Sequence, residues 1–395
     1  MSRILQMSAL ALLLLSWPLE LSARLLWVPG QYRSIQSAVN AAGYGDTVIV
    51  SPGPHPGPLV MNKSIYIIGQ GRSPSVIHAH MGEGAVITIH GARVTLSGIE
   101  VNGGRMVSPT NRYHSDPPGL YARTSTKGIV ANNSKLVLRN VSVNNVRNYL
   151  VTIVRGTLIA RNLRLSTRTY YRGQADVGLR IQASRAHITG LRQPSEYIDH
   201  TIDINDPGRS GPRWGRSDVT ILQSQIRSSA LSWGDCIRAY SNVSLTINSV
   251  YCYRTRGGQQ PKKAGHTGFS LNGSNSQVLI KYSRFIHVPV GVNIHAGAGQ
   301  SNRVRVEHCT FEDNPRAGIL IHSMRYPGVD LGGGPLGSRG GNRFMRMPGY
   351  DVKLTRNSTV DIPAYGNYWS RQPPEHSIWD RNDDPAQGKV LWNRN

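Results

Sequence analysis

KLVLRNVSV at 135–143 and TLIARNLRL at 157–165 are one phrase written twice, and that repetition decides the fold. The phrase returns as VTILQSQI (219–226), VSLTINSVYC (243–252), VLIKYSRF (278–285) and VRVEHCTF (304–311), at intervals of about 21 to 35 residues apart from one longer gap between 157 and 219. In each copy a short apolar–polar alternation turns at Asn or Ser and a second follows, the mark of two strands joined at a corner. Between copies lies a further run of the same kind: GLRIQA (178–183), DCIRAY (235–240), GFSLNG (268–273), GVNIHA (291–296) and GILIHS (318–323). A period in this range marks a solenoid, one coil per copy. Three short strands per coil predict an all-β, single-stranded right-handed parallel β-helix.

Working outward, β-branched runs of the same length extend upstream as TVIV (47–50), SIYIIG (64–69), AVITI (85–89) and RVTLSGIEV (93–101). An open solenoid needs caps at both ends. SIQSAVNAAG (34–43) predicts a short N-terminal cap helix, with Ser34 as N-cap, Ile35, Ala38, Val39 and Ala42 buried, and Gly43 as the C-terminal stop. From about residue 361 the chain turns irregular and aromatic (YGNYW, HSIWD, VLW), which predicts a tail folded over the last coils. Residues 1–23 carry an early arginine, an apolar run from Ala9 to Leu15 and small residues at Ser22 and Ala23, the pattern of a secretory signal peptide. One β-helix domain over 24–395 and a secreted or periplasmic location follow as expectations. No later apolar run reaches membrane-spanning length, so stable membrane insertion is not expected.

Lys and Arg outnumber Asp and Glu by 45 to 22, a net charge of +23. Such a field attracts polyanions. For an exported chain the expected partner is an acidic polysaccharide rather than nucleic acid, bound by a monomer. Three cysteines are too few for a disulfide-held scaffold. At most one pair forms, with Cys236 and Cys252 the natural candidates and Cys309 left over.

The opening SIQSAVNAAGYGDTVIVSPG with SIYIIGQG resembles the pectin-lyase-like right-handed parallel β-helix superfamily. VDLGGGPLGSRGGNRF, GNYW and NDDPAQGKV are similar to secreted bacterial β-helix proteins that mostly lack an assigned activity. Residues 196–270 resemble polygalacturonase-type glycoside hydrolases, which present Asn-Thr-Asp, Asp-Asp before cysteine, Gly-His-Gly and Arg-Ile-Lys on successive coils. The matching positions are Tyr197-Ile198-Asp199, Gly234-Asp235-Cys236, Gly265-His266-Thr267 and Asn293-Ile294-His295. Gly234 stands where that family has a second carboxylate, and Asn293 and His295 stand where it has cations. The resemblance implies hydrolysis, with Asp235 as general acid, Asp199 as base and His266 orienting Asp235.

Inverting hydrolysis needs two carboxyl groups about 6.5–9.5 Å apart. Outward carboxylates on coils stacked about 4.8 Å apart could reach that separation. Arg238, Arg254, Arg256, Lys262, Lys263, Asn293 and His295 are the candidate holders of substrate, with Trp214 stacking on sugar rings. Two further readings use the same residues. A polysaccharide lyase or C5-epimerase would work through Arg254, Arg256, Lys262, Lys263 and His266 without a carboxylate pair. A non-catalytic envelope protein would only bind, and Asp235 would then cap backbone donors at a strand corner. No cofactor is required on these readings. Calcium stays open through Asp199, Asp203 and Asp206, although their spacing fits no recognised calcium loop, and no His or Cys pair has zinc-ligand spacing.

Overall fold

A strand with alternating side chains buries one face only, so three such strands per turn must close on a shared interior. The computed structural model describes residues 23–79, 84–103, 127–146, 148–167, 177–195, 198–206, 215–228, 234–255, 267–295, 301–355 and 357–393. Among these, two 12-stranded sheets and one 11-stranded sheet run along the molecule. The chain passes from Lys135–Arg139 in the first sheet to Ser142–Asn144 in the second and Tyr149–Val154 in the third. It then returns at Thr157–Arg161, parallel to where the coil began. Leu136 pairs with Leu158 and Leu138 with Ala160, and all four are buried.

The corner between the first and second sheets takes one residue with left-handed backbone, coil after coil. Gly98, Asn140, Asn162, Gly190, Gln223, Ser249, Tyr282, His308 and Gly341 all have φ between 47° and 71°. That backbone costs an L-residue roughly 1–2 kcal/mol, and Asn tolerates it because its side chain bonds locally. Asn and Ser therefore mark several corners, as the repeats predict. At Gln223, Tyr282 and His308 the register of the flanking strands imposes the turn on residues that do not favour it.

Phe285, Phe311 and Phe344 stack inside the second sheet with centroids 5.5 and 5.0 Å apart. Third-sheet glycines make room for them. A Cβ at Gly291 would lie 2.5 Å from the Phe311 ring and one at Gly318 2.8 Å from Phe344, and Gly268 meets Phe285 in the same way.

The helix Ile35–Ala41 covers the first coils with Ile35, Ala38 and Val39, and Ser34 and Ser37 cap each other reciprocally. Its end differs from the sequence expectation. Ala42 turns the chain out in an extended conformation, and the Gly43 amide donates to Asp46 Oδ2 at 2.8 Å. Asp46 also receives the Arg24 amide and guanidinium, so a buried carboxylate rather than a left-handed glycine stops the helix. At the other end Trp369 stacks 5.4 Å from Phe344, and Ile378–Trp379 adds a last strand to the third sheet. The expected signal peptide lies outside the described residues, apart from Ala23. Among the described residues no helix is long and apolar enough to cross a membrane.

Candidate functional site

The long third-sheet strands each carry a central residue between two buried apolar neighbours. Register places these residues side by side, in the order Thr152, Arg180, Asp203, Arg238, Ser270 and Asn293. Neighbouring rungs of such a ladder are about 4.8 Å apart. Buried polar atoms in proteins are almost always hydrogen-bonded. Along this one ladder, Thr152 Oγ1, Arg180 Nε, Asp203 Oδ1, Arg238 Nε and Asn293 Oδ1 are buried and lack a hydrogen-bond partner. Hydroxyl, guanidinium, carboxylate and amide groups thus stand in a row with unused donors and acceptors.

The row centres on an ion pair. Arg238 Nη2 lies 2.8 Å from Asp203 Oδ2 and 3.3 Å from Asp206 Oδ2, and its guanidinium sits over the Tyr240 ring at 5.2 Å. Asp203 is only 1 % exposed. Burial pushes its carboxyl up to about 6 although Arg238 pulls the other way. The two carboxylates raise the Arg238 guanidinium above its ordinary value against the opposing effect of burial. Burial likewise pushes the Tyr240 phenol up to about 12, which removes it as a base near neutrality.

Asp235 lies at the start of the same coil as Arg238, 7 % exposed. Its Oδ1 accepts from the Thr267 amide at 3.0 Å and the Thr267 hydroxyl at 2.7 Å. Its own amide donates to His200 Nδ1 at 3.2 Å. Burial pushes the Asp235 carboxyl up to about 6, with the Thr267 bonds and Arg238 opposing. The capping role that the sequence left open for Asp235 is therefore real, since it ties down a backbone donor of the next coil. Cys236 beside it is bonded to Cys252, and both are buried.

A family model described as a right-handed beta helix region matches residues 199–329. A surface adhesin of Streptococcus pneumoniae, PfbA, superposes with a TM-score of 0.53 at 11% identity, over 87% of this chain and 94% of that one. A polygalacturonase of Erwinia carotovora ssp. carotovora superposes with a TM-score of 0.50 at 15% identity, over 94% of this chain and 96% of that one. The chain folds as a right-handed parallel β-helix. No curated protein sequence matches it. The superpositions establish the β-helix alone, because one such fold serves adhesins and glycosidases alike.

Within this β-helix the hydrogen-bond register places the expected residues on neighbouring coils. The Thr201 amide donates to the Asp235 carbonyl and the Ile202 amide to Cys236. These bonds extend the Ile202–Ile237 register back to His200 opposite Asp235 and Asp199 opposite Gly234. Asp199 is thus one residue out of step with Asp235, and Asp203, farther along the same strand, stands opposite Arg238. The inward pairing of Ile202 and Ile204 with Ile237 and Ala239 fixes this register. Arg238 and Asn293 both lie on the ladder. His295 is exposed farther along the Asn293 strand, edge-on to His322 at 5.9 Å. Arg254 is nearly buried at the corner after Tyr251–Tyr253, off the ladder. His266, Arg256, Lys262, Lys263 and Trp214 lie outside the described residues. Asp203 and Asp206, considered for calcium, face a guanidinium. Among the described residues no group of three or more His, Cys, Asp or Glu side chains is arranged to hold a metal.

Arg180 and Thr152 are not among the residues that the sequence singles out, and Asp203 is there only as a calcium candidate, although a signal for all three exists. In LRI, IDI and IRA, at 179–181, 202–204 and 237–239, a charged residue sits between two apolar ones at the centre of a third-sheet strand. Aligning the strands on their buried positions, instead of on a motif, brings these charges into one column.

Proposed function

We propose that the third-sheet ladder binds an acidic, uronate-containing polysaccharide and that the protein, exported and monomeric, hydrolyses it. The row of unsatisfied polar atoms from Thr152 to Asn293 carries this reading. Arg180 and Arg238 offer planar donors to substrate carboxylates, and Thr152 and Asn293 offer partners to sugar hydroxyls. Asp235, with its carboxyl raised to about 6, donates a proton to the leaving oxygen. Asp203, held by Arg238 through Oδ2, activates water through its unoccupied Oδ1. No cofactor enters this scheme.

Incubation with polygalacturonate or alginate is expected to release reducing ends without an unsaturated product. Asp203→Asn and Asp235→Asn should each lower the rate about a hundredfold or more, the usual effect of losing a general acid or base. An unsaturated product would overturn hydrolysis in favour of elimination. The double hydrogen bond from Thr267 to Asp235 favours a second reading, in which Asp235 is structural and the ladder only binds. That reading predicts no product from the unaltered protein and undiminished binding in Asp235→Asn.

A further inference from the structure

The corner between the first and second sheets lies opposite the third sheet in a three-sided coil, and it carries a separate basic groove. A hollow of about 460 Å³ is lined there by Asn140, Ser142, Asn162, Arg164, Gly190 and Arg192. A second hollow of about 230 Å³, which includes Arg72, shares Asn140 and Ser142 with it. The two adjoin one another along the coils that turn at Gly98, Asn140, Asn162 and Gly190, a span of about 15 Å at one coil per 4.8 Å.

Arginines flank this groove in like-charged pairs. Arg139 is the direct register partner of Arg161 on the first-sheet side, and Arg164 is the partner of Arg192 on the second-sheet side. All four are exposed. No carboxylate among the described residues forms an ion pair with any of them. Like charges directly opposite each other on paired strands are destabilising, so two such pairs across one groove are an arrangement that an anionic ligand would relieve. Glu100 ends the strip at the Arg72 end.

The floor is polar and conformationally fixed. Asn162 Nδ2 donates to Asn140 Oδ1 at 3.0 Å. At the next coil Gly190 has φ +69, and a Cβ there would lie 2.8 Å from Asn162 Oδ1. Glycine thus keeps the groove open where a side chain would close it. We propose that this corner groove is a second, non-catalytic binding site for a linear anionic polysaccharide. The arginines take carboxylates or sulfates at regular spacing, and the amides and Ser142 take hydroxyls. The lining residues include no aromatic ring, and single-stranded nucleic acid is held largely by base stacking on such rings. The groove is separate from the third-sheet ladder and does not depend on the catalytic reading.

The test measures binding of the full chain to polygalacturonate and to heparin, in an Asp203→Asn background so that turnover cannot alter the ligand. R139Q/R161Q/R164Q/R192Q should bind about tenfold more weakly, because two charge pairs are lost from one groove. R33Q/R303Q/R325Q/R339Q carries the same change in net charge away from the groove and should bind within about threefold of the parent. Stronger retention of polygalacturonate supports the carboxylate form of the proposal, and stronger retention of heparin the sulfate form. Equal losses in the two quadruple variants, no binding by the parent, or tighter binding of duplex DNA than of either polysaccharide would overturn it. A circular dichroism melt of each variant separates loss of the groove from loss of the fold.

Discussion

Asp235 joins two roles that usually separate. Its hydrogen bonds from Thr267 tie one coil to the next, while its burial raises its carboxyl to about 6. A carboxyl whose pKa is higher folded than unfolded holds its proton longer in the folded state, so stability falls as pH rises between about 4 and 6. A rise of about two pH units in that pKa corresponds to roughly 3 kcal/mol at neutral pH. Asn at 235 can still accept from Thr267 through its amide oxygen but never ionises. Asp235→Asn is therefore expected to match the unaltered protein near pH 4 and to exceed it in stability near pH 7. Thermal unfolding at the two pH values measures this. A constant difference between the two chains would mean that the buried carboxyl is not raised. Asp235 was legible in the sequence because a motif pointed to it. The Asp203–Arg238 pair was not, since it lies in a register that only the inward pairing of Ile202 and Ile204 defines. Cys309 shows the converse. Burial pushes its thiol up to about 12, so the unpaired cysteine is an inert packing residue.

Among the elements, the clearest coupling is between the second-sheet phenylalanines and the third-sheet glycines. Gly291→Ala would drive a methyl group into Phe311 and the Gly318 carbonyl. Overpacking of this kind costs about 1–3 kcal/mol. Phe311→Leu alone should also destabilise, through a partial cavity. The double variant should recover part of the sum, since the smaller ring position accommodates the new methyl. Urea midpoints of the four chains close the cycle, and strict additivity would refute the contact. Strand existence and order were readable from the repeats, because a period-two pattern bounded by Asn and Gly leaves little choice. The glycine column was not readable as packing. GFS, GVN and GIL read as the starts of strands, and nothing in them names the facing phenylalanine. The helix end at Ala42 was misread for a related reason. A glycine after a helix predicts a left-handed cap, but the Asp46 carboxylate captures the Gly43 amide first.

For the whole molecule, the decisive physical problem is its ends, since every coil in between is covered by two others. The helix Ile35–Ala41 closes one end. At the other, Trp369 continues the phenylalanine stack beyond Phe344 and Ile378–Trp379 pairs with the last long third-sheet strand. Composition announced this tail as a cap, but not that one tryptophan would extend an interior column. Trp369→Ala removes that ring from the end of the stack. It should cost about 3 kcal/mol or somewhat less, because the ring is only partly buried. In a solenoid each coil contacts only its neighbours, so the loss is felt first at the C-terminal coils and propagates inward. Hydrogen exchange should therefore quicken in Tyr350–Thr355 before Ala317–His322, with Lys127–Asn132 unchanged at low denaturant. Exposed parallel edges also template association, so the variant should aggregate at concentrations where the unaltered chain stays dispersed. A uniform rise in exchange across all three strands would instead mean that the β-helix unfolds as one unit and that the cap serves the whole length at once.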